Sequence, residues 1–139
     1  MSAAWLKAPP SVGDFVWCHF PQETDGSPGP KPRPALVMRV TTRTDGTEVT
    51  VAYGTSKRVT ALKSGEFAIS KLASPEAYRL AGLSYDSKFN LKETAVLPWT
   101  ESFFKVPPLA PRGQTPRLGT LHASLVRAAE AAFRAANLR

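Results

Sequence analysis

Three features of this 139-residue sequence predict a mainly β domain, a small and strongly bent antiparallel barrel with one short helix and a C-terminal helix. Residues 15–20 are β-prone and carry bulk on both alternating faces: Val16, Cys18 and Phe20 on one, Phe15, Trp17 and His19 on the other. A strand covered on both sides suits a bent barrel. Two further apolar runs flank Asp45-Gly46, a pair suited to a tight hairpin. Past residue 120 the apolar period lengthens to that of a helix.

In chain order, residues 1–11 read as a mobile tail ending in Ala-Pro-Pro-Ser. Residues 12–139 form one domain, since a chain of this length supports a single sizeable core. Residues 21–33 hold four prolines and two glycines, which exclude helix and central strand. A loop this long in a compact domain points to function. Leu36, Met38 and Val40 then share one face of a strand, and Val49, Val51 and Tyr53 return on its partner. Glu66-Phe-Ala-Ile69 is a short strand. Ser74 as N-cap, Pro75 at the first helical position, Glu76 and the stop at Gly82 outline a short helix. Lys88–Leu91 and Thr94–Leu97 read as two strand pieces closed by Pro98. A proline-rich linker follows over 106–117, then a helix near 120–136. That helix groups Leu121, Leu125, Ala128, Ala129, Ala132, Phe133 and Ala136 on one face, and Glu130 is spaced to pair with Arg134.

The composition is globular, with 42% hydrophobic and 21% charged residues. No apolar run is long enough to span a membrane, and the N-terminus lacks the apolar core of a signal peptide. The lone Cys18 fits a buried thiol in a reducing cytoplasm. The net charge of +7 and a pI near 9.9 favour a polyanionic partner, because phosphate contacts release counterions.

Phosphate loops, dinucleotide fingerprints and nucleophile elbows are absent. One cysteine and two dispersed histidines, His19 and His122, supply neither a metal-ligand set nor an acid/base pair, so neither metal nor cofactor is expected. RNA carries its own nucleophile, the 2′-hydroxyl. A protein that cleaves it must hold sugar and phosphate in line, stabilise charge on the phosphorus and move two protons. The planar fork of an arginine suits the second task. Arg33, held between Pro32 and Pro34, is either such a residue or a solvated loop arginine. Thr55 either holds a phosphate oxygen or satisfies its own turn. Tyr53, Phe89, Trp99, Phe103 and Phe104 either stack bases or fill the core.

Four segments together carry a resemblance. They are Gly13-Asp-Phe-Val-Trp-Cys-His-Phe20, then Gly29-Pro-Lys-Pro-Arg33-Pro34, then Ala35-Leu-Val-Met38, then Val51-Ala-Tyr-Gly-Thr55-Ser56-Lys57. In this order they resemble the PemK/MazF family of toxin endoribonucleases from type II toxin–antitoxin pairs. The resemblance implies an SH3-like barrel, a homodimer and metal-independent cleavage of single-stranded RNA or mRNA. It also implies a cognate antitoxin whose acidic segment blocks the RNA groove. By the same resemblance Arg33 and Thr55 are catalytic; Ser56 beside Thr55 is expected to bind substrate, as are Lys31 and Lys57, which with Arg58 flank the two residues and add positive field along an RNA groove. Lys88-Phe89-Asn90 matches the family's basic-x-acidic triplet, with Asn90 in place of the acid; Lys88 and Asn90 are thus expected at the substrate. An amide cannot serve as a general base near pH 7. Two alternatives stand beside this reading. One is a catalytically weakened, phage- or plasmid-borne relative that inhibits another protein, which Asn90 favours. The other is a gyrase-poison-like toxin on the same barrel, which the Arg33/Thr55 pairing disfavours.

Overall fold

The computed structural model describes residues 3–137. Residues 1–2 of the expected tail and 138–139 of the expected domain lie outside the described residues. The fold is mainly β: one six-stranded antiparallel sheet with two α-helices. The strands are β1 (Asp14–Cys18), β2 (Arg33–Arg43), β3 (Gly46–Thr55), β4 (Glu66–Ile69), β5 (Ser87–Pro98) and β6 (Arg117–Thr120), in the spatial order β4-β5-β3-β2-β1-β6. Helix α1 (Pro75–Ala81) joins β4 to β5, and α2 (Val126–Asn137) closes the chain. Among the described residues no helix is long and apolar enough to cross a membrane.

Each face of the sheet carries its own core. Val16, Cys18 and Phe20 join Val37, Val49, Val51, Trp99 and Phe104 on one side. Phe15 joins Leu36, Phe67, Phe89 and Leu118 on the other, where Trp17 and the helices also pack. The alternation in residues 15–20 therefore reads as expected. Tyr53 likewise follows Val49 and Val51 onto their face. Val40 does not follow Leu36 and Met38, because the pairing slips between Val37 and Arg39. Met38 is the extra residue of this bulge, and one extra residue moves every later side chain to the opposite face. Leu36 and Met38 accordingly pack on one core and Val40 on the other.

The β2–β3 hairpin forms with a different turn. Arg43 pairs with Gly46, so Thr44 and Asp45 are the connecting residues. Gly46 has φ of +145°, whereas Asp45 is not among the positive-φ residues. The two pieces expected around Lys88–Leu91 and Thr94–Leu97 are one bent strand. Tyr53 pairs with Asn90 while its neighbour Ala52 pairs with Thr94, which leaves Leu91, Lys92 and Glu93 as an irregularity. Leu91 stays buried there, and its N–H donates to Gly65 O at 2.8 Å.

Several expectations at the chain ends and in α1 are corrected. The N-terminal segment is anchored: Ala4–Lys7 form a 3-10 turn that buries Trp5. Trp5 meets Trp99 edge-on at 5.0 Å and accepts its indole N–H. The proline-rich segment 106–117, expected as a linker, is tied to the sheet at its two ends, where Pro107 and Pro116 are buried, while Pro108, Leu109 and residues 111–114 between them are exposed. Its entry donates from Lys105 N to Trp17 O, and its exit carbonyl at Pro116 accepts from Trp17 N. Proline's missing N–H removes a ladder bond but leaves the ring free to pack. Residues 117–120 form an unforeseen strand, β6, along the free edge of β1, and the C-terminal helix begins at Val126 rather than near 120. A 3-10 turn at Ala123–Leu125 then leads into α2. Ala129, Ala132, Leu125 and Ala136 face the core, whereas Ala128 is exposed and Phe133 is 50% exposed. Glu130 and Arg134 are not among the ion pairs of the described residues. Ser74 occupies the N-cap of α1, but its hydroxyl makes no capping bond. Gly82 ends α1 in the left-handed conformation with φ of +72°.

A candidate nucleic-acid groove at the strand ends

Pairing of β1, β2, β3 and β5 brings the candidate residues to one end of the sheet. Arg33 opens β2 opposite Cys18. Ala35 faces Tyr53, and Arg33 and Thr55, each two residues further along, are the first residue of β2 and the last of β3. Cross-strand partners share a face, and this row lies on the face of Cys18, Ala35 and Tyr53. Gly54 permits the approach: a Cβ there would meet Pro34 O at 2.1 Å and the Phe89 ring at 2.7 Å.

The loop that delivers Arg33 is clasped at its base. Gly29 N–H donates to His19 O at 3.2 Å, and His19 Nδ1 lies 2.7 Å from Gly29 O. A carbonyl only accepts, so Nδ1 carries the hydrogen. A side chain at Gly29 would strike Phe20 O at 2.2 Å. His19 therefore ties down the loop from β1 and lines no part of the groove.

Arg33, Thr55, Lys31, Ser56 and Lys57 all line one open groove of about 1080 Å³. The Arg33 guanidinium lies 6.0 Å from the Tyr53 ring centroid. Its Nε is buried without a hydrogen-bond partner, and Arg33 forms none of the ion pairs among the described residues. A shielded, unpartnered donor on a cation is costly, about 1–3 kcal/mol or more. Thr55 Oγ1 accepts from Lys57 N at 3.1 Å, which fixes the turn that presents Ser56 and Lys57. The hydroxyl hydrogen remains available to a phosphate or ribose oxygen.

Lys88 and Asn90 share the Thr55 face, as their pairing with Thr55 and Tyr53 requires, but neither lines the groove. Lys88 Nζ donates to Ala61 O at 3.1 Å and to Glu66 Oε1 at 3.0 Å. The two side chains are only 8% and 6% exposed. Lys88 is thus committed to a buried pair, a correction to its expected place at the substrate. Asn90 also lies outside the groove lining, and its Oδ1 accepts from Lys92 N at 2.9 Å across the irregularity of β5.

The sequence reading missed Glu66. It stands directly opposite Asn90 in the β4–β5 register and supplies the carboxylate beside Lys88 that the triplet lacks. Burial alone would raise its pKa, but the Lys63 N–H and the Lys88 ammonium outweigh that, and the carboxyl sits below its ordinary value of 4.5. It is a fixed anion, unsuited to taking up a proton near neutrality. Only the strand pairing reveals it, because 22 residues separate it from Lys88. Phe89, Trp99 and Phe104 are buried core residues, whereas Trp17, Tyr78 and Tyr85 line the groove. The lining holds five cations, Lys31, Arg33, Lys57, Lys71 and Arg79, and no carboxylate or imidazole. Among the described residues no three His, Cys, Asp or Glu side chains gather as a metal site. Neither a family model nor a curated protein matches this chain, so a functional reading rests on the groove and its chemistry.

Proposed function

We propose that this protein is a sequence-selective, metal-independent endoribonuclease that cuts single-stranded RNA by attack of the substrate's own 2′-hydroxyl. In this reading it is a PemK/MazF-like toxin on an SH3-like barrel, acting as a homodimer in the cytoplasm and neutralised by a cognate antitoxin. One observation carries the reading: an Arg33 guanidinium whose buried Nε has no partner lines, together with Thr55, a groove whose lining is cationic. Such a groove attracts a polyanion. The 2′-oxygen forms a bond to phosphorus as the 5′-oxygen leaves, giving a 2′,3′-cyclic phosphate and a free 5′-hydroxyl. Arg33 donates to the phosphoryl oxygens where charge accumulates. Thr55 donates to a phosphate oxygen or orients the 2′-hydroxyl, and Lys31, Ser56 and Lys57 hold the neighbouring backbone.

The test is cleavage of single-stranded RNA by wild type and Arg33→Ala. The variant should fold normally and cut about a hundred- to a thousandfold more slowly. Full cleavage by the folded variant would remove Arg33 from the reaction. The same lining favours a second reading, since it holds no group that accepts a proton near pH 7. A catalytically weakened member that binds and inhibits another protein would look the same. Tight binding of a protein partner with no turnover of RNA would select it.

A further inference from the structure

The groove extends well past Arg33 and Thr55. Beyond the strand ends its lining includes Lys71, Tyr78, Tyr85 and Leu109. The volume of about 1080 Å³ exceeds the usual range for pockets that enclose a single drug-sized ligand. Tyr85 is 73% exposed and Leu109 81% exposed, although both line a concave surface. An exposed aromatic by itself is ordinary. This one stands on a pinned backbone: Ser87 Oγ donates to Tyr85 O at 2.9 Å, and Ser87 is itself buried in β5 opposite Ile69. On the other side Lys71 N donates to Asp86 Oδ1 at 2.9 Å, joining the turn that carries Lys71 to the loop that carries Tyr85. Lys71 forms none of the ion pairs among the described residues. The Tyr78 hydroxyl is a donor at neutral pH, its pKa pushed above the ordinary 10.0 by burial first and then by Asp86 and Tyr85.

We propose that this arm is a second nucleotide subsite, in which the Tyr85 ring stacks a base of single-stranded RNA next to the nucleotides held at Arg33, and Lys71 contacts the intervening phosphate. The proposal rests on the RNA reading of the groove. A cationic track interleaved with an exposed aromatic is how proteins hold single strands. Stacking tolerates any base but favours the larger purine surface, so the subsite contributes affinity and a purine preference at one flanking position.

The experiment measures anisotropy of fluorescein-labelled 2′-fluoro oligomers, which lack the nucleophile, using A and U sequences of two and eight nucleotides. Tyr85→Ala should weaken binding of the A octamer roughly 5- to 150-fold, the range for loss of one stacked base, and leave the dinucleotide unchanged. Tyr85→Phe should bind as wild type. Lys71→Ala should lower the slope of log affinity against log salt by about 0.7, as for one lost phosphate contact on a single strand. If Arg33→Ala weakens the octamer but Tyr85→Ala does not, the subsite is overturned and the RNA reading stands. If wild type binds no oligomer, or neither substitution matters, both are overturned. An unchanged unfolding midpoint for Tyr85→Ala, expected at an exposed position, ties its effect to binding.

Discussion

Lys88 and Glu66 bear on both stability and the site. Their pair is buried, and Lys88 also holds Ala61 O in the loop that follows Thr55. Lys88→Met strands a buried carboxylate and should cost about 3–5 kcal/mol, read from urea unfolding at pH 7. Adding Glu66→Leu should restore most of that loss, because a well-packed apolar pair is often as stable as the ionic one. The pH dependence follows from the lowered pKa of Glu66. Its contribution is complete above the ordinary value of 4.5 and declines as pH falls below it through the folded-state value. Glu66→Gln should flatten that acid limb of the stability curve. Asn90→Asp keeps an acceptor for the Lys92 N–H but faces Glu66 across the strands. A small loss of stability, below about 1 kcal/mol, and no gain in RNA cleavage are expected. A faster Asn90→Asp enzyme would bring that carboxylate to the reacting groups, contrary to this geometry.

Between elements, one close constraint on the site is the approach of β2 and β5 to Gly54. Its Cβ position overlaps Pro34 O and the Phe89 ring, and the residues beside those contacts are Arg33 and Thr55. Gly54→Ala must push the strands apart, at a cost of about 1–3 kcal/mol. RNA cleavage should fall further than RNA binding, because alignment of the two strand ends suffers while the cationic lining survives. Equal losses in rate and affinity would show that the separation of the strands does not matter for the reaction. The C-terminus of α1 has the same character. A side chain on Gly82 would meet Leu118 O at 1.9 Å, and one on Gly119 would meet Leu80 O at 2.0 Å. Helix and β6 thus touch backbone to backbone beside the groove, and neither position has room for alanine.

For the whole molecule, the two cores make separable demands. Trp5 belongs to the core on the face of Trp99 and Phe104, outside the groove lining. Trp5→Ala should therefore lower stability by about 3–5 kcal/mol yet leave the activity of the folded fraction intact. A loss of activity at temperatures where the variant remains folded would tie that core to the site. On the proposed reading, the groove cations should make RNA binding steeply salt-dependent. Cleavage should persist in excess chelator, yield cyclic phosphate ends and spare all-DNA substrates. Rapid cutting of DNA would exclude 2′-hydroxyl attack.

The sequence by itself determined the mainly β class, the alternation of residues 15–20, the β2–β3 hairpin and the stop of α1 at Gly82. Each depends on terms acting within a few residues: side-chain alternation, apolar runs flanking a short polar stretch, a left-handed glycine. It also singled out Arg33, Thr55, Ser56, Lys57 and Lys31, which lie at strand ends that pairing brings together. Tertiary structure decided the rest. The bulge at Met38 sends Val40 to the other core, and no local pattern marks an extra residue. Strand β6 is four residues long, contains Gly119 and follows a proline run; it exists because β1 offers a free edge. The partner of Lys88 is Glu66, which no triplet spacing reveals, since strand register rather than sequence distance makes them neighbours. The arm of the groove at Lys71 and Tyr85 forms for the same reason: long-range pairing unites segments whose sequences carry no mark of each other.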